Sequence, residues 1–208
     1  MAVALSLAIV LSGVFLWQGS DPQASEPGAF PTAANMASES SSEPLALAVN
    51  PIDGVMIVAN GTGLQRSTDS GLTWEMVATA NELDGDAVLG VAINPDDPAM
   101  LYAWGMGMGV VQSTDAGATW KAVTNGLPSD NVSAFAIHSF ERGTLYAWIK
   151  GHGVFKTEDA GQNWQWMDDG PSAKAVQALT HSPLEGSMNT GWLYAATPEG
   201  VYLSMDCF

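Results

Sequence analysis

Cysteine is nearly absent from this chain, and so is positive charge. One cysteine in 208 residues, Cys207, permits no internal disulfide and no cysteine-based metal cluster, and it leaves the redox compartment unread. Six Lys and Arg stand against 22 Asp and Glu, for a formal net charge of −16. A surface of that sign repels phosphate, so nucleic acid is not an expected partner. Charged residues of both signs make up only 13% of the chain, and the apolar runs lack the 3.6-residue period of amphipathic helices, which argues against a helical bundle. What the chain does have is 22 Gly, 8 Trp and a 47% hydrophobic share. That is enough to bury a core, in a composition suited to short strands joined by glycine turns.

Met1 to Trp17 (MAVALSLAIVLSGVFLW) carries no charged side chain. As a helix it would be roughly 25 Å long, the short end of a membrane span. It reads as a transmembrane anchor, with a cleaved secretory signal as the competing reading, although neither a basic opening nor a small-x-small cleavage site is clear. Val14 stands where a lipoprotein signal would need cysteine. Residues 18–44, rich in Ser, Ala, Pro and Glu, read as a disordered tether.

From Leu45 the chain repeats, in units 45–87, 88–131, 132–175 and 176–208. LALAVNP, VLGVAINP, VSAFAIHS and VQALTHSP open the four units, and LYAWGMGMGVVQ, LYAWIKGHGVFK and LYAATPEGVYLS continue the last three. Each complete unit holds four apolar runs, so four strands, and four-stranded units that cannot bury both faces alone stack radially as propeller blades. The predicted fold is therefore all-β, a propeller of about four blades behind an N-terminal transmembrane helix.

Between the third and fourth runs lies the most specific signal: Ser67-x-Asp69-x-Gly71-x-Thr73-Trp74, Ser113-x-Asp115-x-Gly117-x-Thr119-Trp120 and Thr157-x-Asp159-x-Gly161-x-Asn163-Trp164. A carboxylate there can accept backbone N–H groups, glycine allows positive φ, and tryptophan fills the space between strands. The motif resembles the Asp-box (BNR repeat) of sialidase-type β-propellers, and its residues read as structural rather than catalytic. Ser204-x-Asp206 begins a fourth box that Cys207 and Phe208 do not continue, so the last blade is expected to lack its outer strand, as in a four-blade ring, an open arc completed by a partner or a truncated version of a longer propeller.

The sialidase resemblance would imply a clamp of three arginines, and the chain has two, Arg66 and Arg142, neither placed for it. Carboxylates available for a glycosidase pair are Asp84, Asp86, Asp130, Asp168, Asp169 and Glu199, which in so acidic a chain read as solvated turn residues. His138 and His181 align with Asn94 and Asn50, and His152 replaces Met108 or Thr62 in a glycine loop. Met106, Met108 and His152 are the one combination with copper-ligand chemistry, but their flanking glycines favour a tight turn. No catalytic residue, metal or cofactor is expected. The glycine loops should share a face with the connections between blades, opposite the Asp-boxes. There Met106, Met108, Leu127, His152 and Trp192 form the expected partner-binding surface.

Anchor, acidic tether and Asp-box propeller together resemble the photosystem II assembly and stability factor family and related bacterial glycosyl hydrolase-like propellers, over Leu45 to Asp206. The resemblance implies a non-catalytic scaffold or accessory subunit of a membrane protein complex, a photosynthetic reaction centre among the candidates. It places the propeller on the extracytoplasmic side, periplasmic or lumenal. The alternative is a glycan-binding or glycoside hydrolase propeller.

Overall fold

The structure, a computed structural model, describes residues 45–167, 175–184 and 191–204. The assignments made for residues 1–44 lie outside the described residues, as do Asp168, Asp169, Asp206 and Cys207. Among the described residues no helix is long and apolar enough to cross a membrane.

Among the described residues, fifteen strands form four antiparallel sheets. The first blade is Ala46–Val49 (β1), Met56–Ala59 (β2), Gly63–Ser67 (β3) and Glu75–Thr79 (β4). The second is Ala87–Ile93 (β5), Leu101–Met106 (β6), Gly109–Ser113 (β7) and Lys121–Ala122 (β8), and the third is Val132–Ile137 (β9), Leu145–Ile149 (β10), Gly153–Thr157 (β11) and Gln165–Met167 (β12). The fourth sheet has three strands, Ala178–Ser182 (β13), Trp192–Thr197 (β14) and Gly200–Ser204 (β15). Each strand pairs with the next, and β1, β5, β9 and β13 stand successively against one another. The expected blades are thus present, the fourth with three strands.

Strand alternation assigns every side chain to one junction or the next. At the first junction Ile57, Ala59 and Leu64 of blade 1 meet Val91, Leu101 and Ala103 of blade 2. At the second, Tyr102 and Val110 meet Phe135, Leu145 and Ala147. At the third, Tyr146, Trp148 and Val154 meet Leu179, Leu193 and Ala195. Leu145, Ile149 and Val110 are sealed from solvent, and burying each such side chain contributes about 1.5–3 kcal/mol. Small residues on the inner strands make room for large ones beside them. A Cβ at Gly90 would overlap the Trp104 indole, so glycine is what lets that ring lie flat on β5.

One alignment is corrected. Asn50, Asn94 and His138 each end an inner strand and accept the N–H of the residue two positions on, at 2.9, 3.0 and 3.1 Å. In the fourth blade that place belongs to Ser182, whose Oγ accepts the Leu184 N–H at 3.2 Å. His181 pairs with Leu193 as Ile137 pairs with Leu145 and Ile93 with Leu101, so it faces blade 3. Its ring lies 3.9 Å from that of His138. Any short acceptor can terminate the strand, so the pairing register, not the residue type, decides which one does.

Candidate functional site

The Asp-boxes come first because their geometry decides whether their carboxylates are available for chemistry. Asp115 Oδ1 accepts the Ser113 hydroxyl and the Thr119 N–H, both at 2.8 Å, and Oδ2 accepts the Thr119 hydroxyl at 2.6 Å. Ser113 Oγ in turn accepts the Gly117 N–H at 2.8 Å. Blade 1 repeats this with Ser67, Asp69, Gly71 and Thr73, and blade 3 with Thr157, Asp159, Gly161 and Asn163. Ala116 and Gly117 both lie in the left-handed region, at φ 55° and 92°, which explains glycine at the second place. These hydrogen bonds favour the ionised form. The Thr73 hydroxyl foremost lowers Asp69 to about 2, the Thr119 hydroxyl does the same for Asp115, and the Thr157 hydroxyl leads for Asp159. Each carboxylate is an acceptor locked in its own turn, with no proton to donate near neutral pH.

The box tryptophans differ among blades. Trp74 and Trp120 donate Nε1–H to Gly71 and Gly117 of their own boxes, and both are half-buried. Trp164, only 4% exposed, donates instead to the carbonyl of Val123 in blade 2, at 2.7 Å. It ties two blades together.

The strand order puts the glycine hairpins at one end of the blades and the Asp-boxes at the other. Gly61 bridges to Val88 near the start of β5, while the Gly109 N–H reaches the Asp130 carbonyl and the Gly107 N–H reaches Asn131, both in the connection between blades 2 and 3. At the far end, Ala116 and Ala160 of the boxes donate to Ala99 and Gly143, in the turns joining first and second strands.

Of the expected contact residues, this hairpin end presents exposed His152 and half-buried Met106. Leu127, in the connection between blades 2 and 3, is half-buried as well, beside the second junction. The other two are corrected. Met108 is 4% exposed, with its side chain packed beside Gly85 and Gly105 in the first junction. Trp192 begins β14 opposite Ser182, at the Asp-box end, the far end of the strand from the Pro198–Gly200 hairpin. The turn that shields Met108 is a tertiary fact that repeat alignment does not carry, whereas the place of Trp192 follows from strand order, since it opens the second strand of its unit. Met106 and Met108 share the blade 2 hairpin while His152 comes from that of blade 3, and among the described residues no group of three His, Cys, Asp or Glu could hold a metal ion.

Exposed carboxylates of the hairpin end are Glu82, Asp84, Asp86, Asp130 and Glu199, against exposed Lys150. This surface suits a neutral or basic partner segment.

Both arginines lie at the Asp-box end and span blades. Arg66 holds Glu75 at 2.8 Å and donates to the Ala116 carbonyl of blade 2, beside a cleft of about 320 Å³ lined also by Asn50, Asp53, Pro98 and Ala99. Arg142 of blade 3 holds Asp96 of blade 2 at 2.8 Å and donates to the His138 carbonyl. Sequence reasoning missed these ties, because nothing in the local pattern links residues 46 or 50 positions apart.

No family model matches the chain, and no curated protein matches it significantly. Solved structures do. A glycoside hydrolase family 74 xyloglucanase from Xanthomonas campestris matches 80% of this chain at 20% identity with a TM-score of 0.60. YCF48 from Cyanidioschyzon merolae matches 78% of it at 14% identity and 0.56, and YCF48 bound to D1 peptide matches 78% at 14% and 0.52. The chain spans 29% of the xyloglucanase and 53% and 49% of the two YCF48 chains. Four antiparallel sheets, three complete Asp-boxes and these likenesses agree that the chain folds as blades of a BNR-type β-propeller, similar in fold to the family 74 enzymes and to YCF48.

Proposed function

We propose that the chain is a non-catalytic binding platform, an accessory or assembly subunit that holds a segment of a membrane protein complex. The carrying observation is the division between its two ends. The three complete Asp-box carboxylates are engaged within their own turns, while the hairpin end offers His152, Met106 and the exposed Asp84, Asp86 and Asp130; Glu82 beside them is held by Thr79 and Glu199 by Tyr202. A propeller of this fold bound to D1 peptide supports a peptide segment as the partner and a photosynthetic complex as its source. In this reading residues 1–17 anchor the chain, residues 18–44 tether it, and the propeller lies on the extracytoplasmic side. Affinity isolation from the native membrane in mild detergent tests it. The chain should bring down membrane subunits, and His152→Glu with Met106→Glu should reduce recovery while leaving the unfolding midpoint unchanged. Recovery of the chain alone, or unaltered recovery with both substitutions, would count against the reading.

A second reading, glycan binding, draws support from the family 74 likeness and from Trp166, 60% exposed on the outer strand β12 beside Gly153. Titration with soluble xyloglucan, read by tryptophan fluorescence and lost in Trp166→Ala, would favour it over the first.

A further inference from the structure

The cleft beside Arg66 lies at the Asp-box end of the first junction, and the other two junctions fill the same place with side chains. Ile57, Tyr102 and Tyr146 hold one position in the strand register, paired with Arg66, Gln112 and Lys156 in turn. At the second junction the Tyr102 ring is fully buried; its hydroxyl accepts from Gln112 Nε2 at 2.9 Å and donates to the Met100 sulfur at 3.3 Å. Arg142 crosses that junction to Asp96. At the third, the rings of Tyr146, His138 and His181 lie within 3.9 to 6.3 Å of one another. At the first, Ile57 stands in place of a tyrosine, Val55 in place of Met100 and Pro98 in place of Arg142. A cleft of about 320 Å³ is left between blades 1 and 2.

Both walls are facing sides of adjacent blades within the described chain. Ile57, Ile93 and Leu101 supply aliphatic surface, and Arg66 and Asn50 supply N–H groups. Arg66 uses three of its five guanidinium N–H groups, on Glu75 and the Ala116 carbonyl. In blade 2, Asn94 donates Nδ2 to the Met100 sulfur at 3.4 Å. With Val55 there instead, Asn50, 6% exposed, uses only its Oδ1, on the Ile52 N–H, among the described residues. The cleft thus keeps donors at the places of Gln112 and Asn94 and lacks the ring. An apolar cavity of about 150 Å³ already admits benzene, so an aromatic ring has room.

We propose that this cleft binds a phenol, its ring on Ile57 and its hydroxyl accepting from Arg66, as Tyr102 accepts from Gln112 in the next blade. A neutral hydroxyl suits the place better than a carboxylate, because Asp53 lines the same cleft in a chain of net charge −16. Such a ring arrives either as a free phenolic molecule or as the tyrosine side chain of a partner segment, and both present the same group. The site lies at the Asp-box end, apart from the hairpin-end surface of His152 and Met106.

Methyl NMR of the full chain in mild detergent, titrated with 4-hydroxyphenylacetamide, tests the proposal. Ring-current shifts are expected at Ile57, Ile93, Ala99 and Ala116, which line the cleft. Phenylacetamide, which lacks the hydroxyl, should bind about tenfold more weakly, the loss of one hydrogen bond. Ile57→Tyr puts the protein's own phenol in the cleft and should abolish the shifts at Ala99 and Ala116 while holding or raising the unfolding midpoint. Val55→Met, a smaller change that restores the Met100 place, should also weaken binding, which keeps the test decisive if Ile57→Tyr does not fold. A capped peptide carrying a single tyrosine distinguishes the sources. The same shifts assign the cleft to a partner's tyrosine, and their absence, with the small phenol bound, assigns it to a free phenol. No shifts with the small phenol up to its solubility limit, equal affinity without the hydroxyl, tighter binding of benzoate, or shifts unchanged in both variants would overturn the proposal.

Discussion

Replacing Trp164 by Phe separates a box tryptophan that joins blades from one that only closes its own turn. The indole is 4% exposed and its N–H meets the Val123 carbonyl, 41 residues away, at 2.7 Å. Phenylalanine removes the donor and leaves that carbonyl in a buried place, which costs about 1–3 kcal/mol. It also removes the second ring's contact area, on the order of 40 Å², or about 1 kcal/mol. The expected loss is about 2–4 kcal/mol. In Trp120→Phe the orphaned acceptor is Gly117 of the same turn, beside a half-buried ring that water can reach, and about 1 kcal/mol or less is expected. For a domain of this size, each kcal/mol moves Tm by roughly 2–4 °C. Thermal unfolding followed by far-UV circular dichroism, which does not depend on indole fluorescence, should place Trp164→Phe well below Trp120→Phe. Equal midpoints would falsify the claim that Trp164 carries the junction between blades 2 and 3.

The Asp-boxes make stability pH-dependent. Asp69, Asp115 and Asp159 are lowered to about 2 in the folded state from an ordinary value of 3.8, so their contribution is complete above pH 4 and fades as pH falls towards 2. Asn at all three places should flatten the acid limb of a circular dichroism titration, and an unchanged limb would show that the boxes do not set it. A Cβ at Gly105 would overlap the Ala87 carbonyl oxygen, so Gly105→Ala should cost about 3 kcal/mol or more in urea unfolding. At Gly151, with φ 83° and open space around it, alanine should cost only about 1–2 kcal/mol; a ranking in the opposite order would contradict the packing. Arg142→Ala breaks an ion pair whose Asp96 is well exposed, so a loss of about 1 kcal/mol or less, shrinking with added salt, is expected.

The blades are legible in the sequence because both signals behind them are local. Alternation over four to seven residues sets a strand, and the Ser-x-Asp-x-Gly-x-Thr-Trp turn satisfies its own hydrogen bonds within a few residues. Counting repeats then yields the number of sheets, and the missing fourth run announces the three-stranded last one. The structural role of Asp69, Asp115 and Asp159 could be read for the same reason. The rest depended on which blade a residue meets. His181 looked equivalent to His138 and instead meets its ring from the next blade, 3.9 Å away and tilted by 31°. Met108 looked exposed and is enclosed by Gly85 and Gly105. Arg66 and Arg142, unremarkable in their own turns, reach across to Ala116 and Asp96. Sequence by itself determined the unit, because each unit's geometry is closed by contacts between near neighbours in the chain. Only the tertiary structure decided the junctions, because packing one blade on another brings together residues about forty positions apart, where no local pattern constrains the pairing.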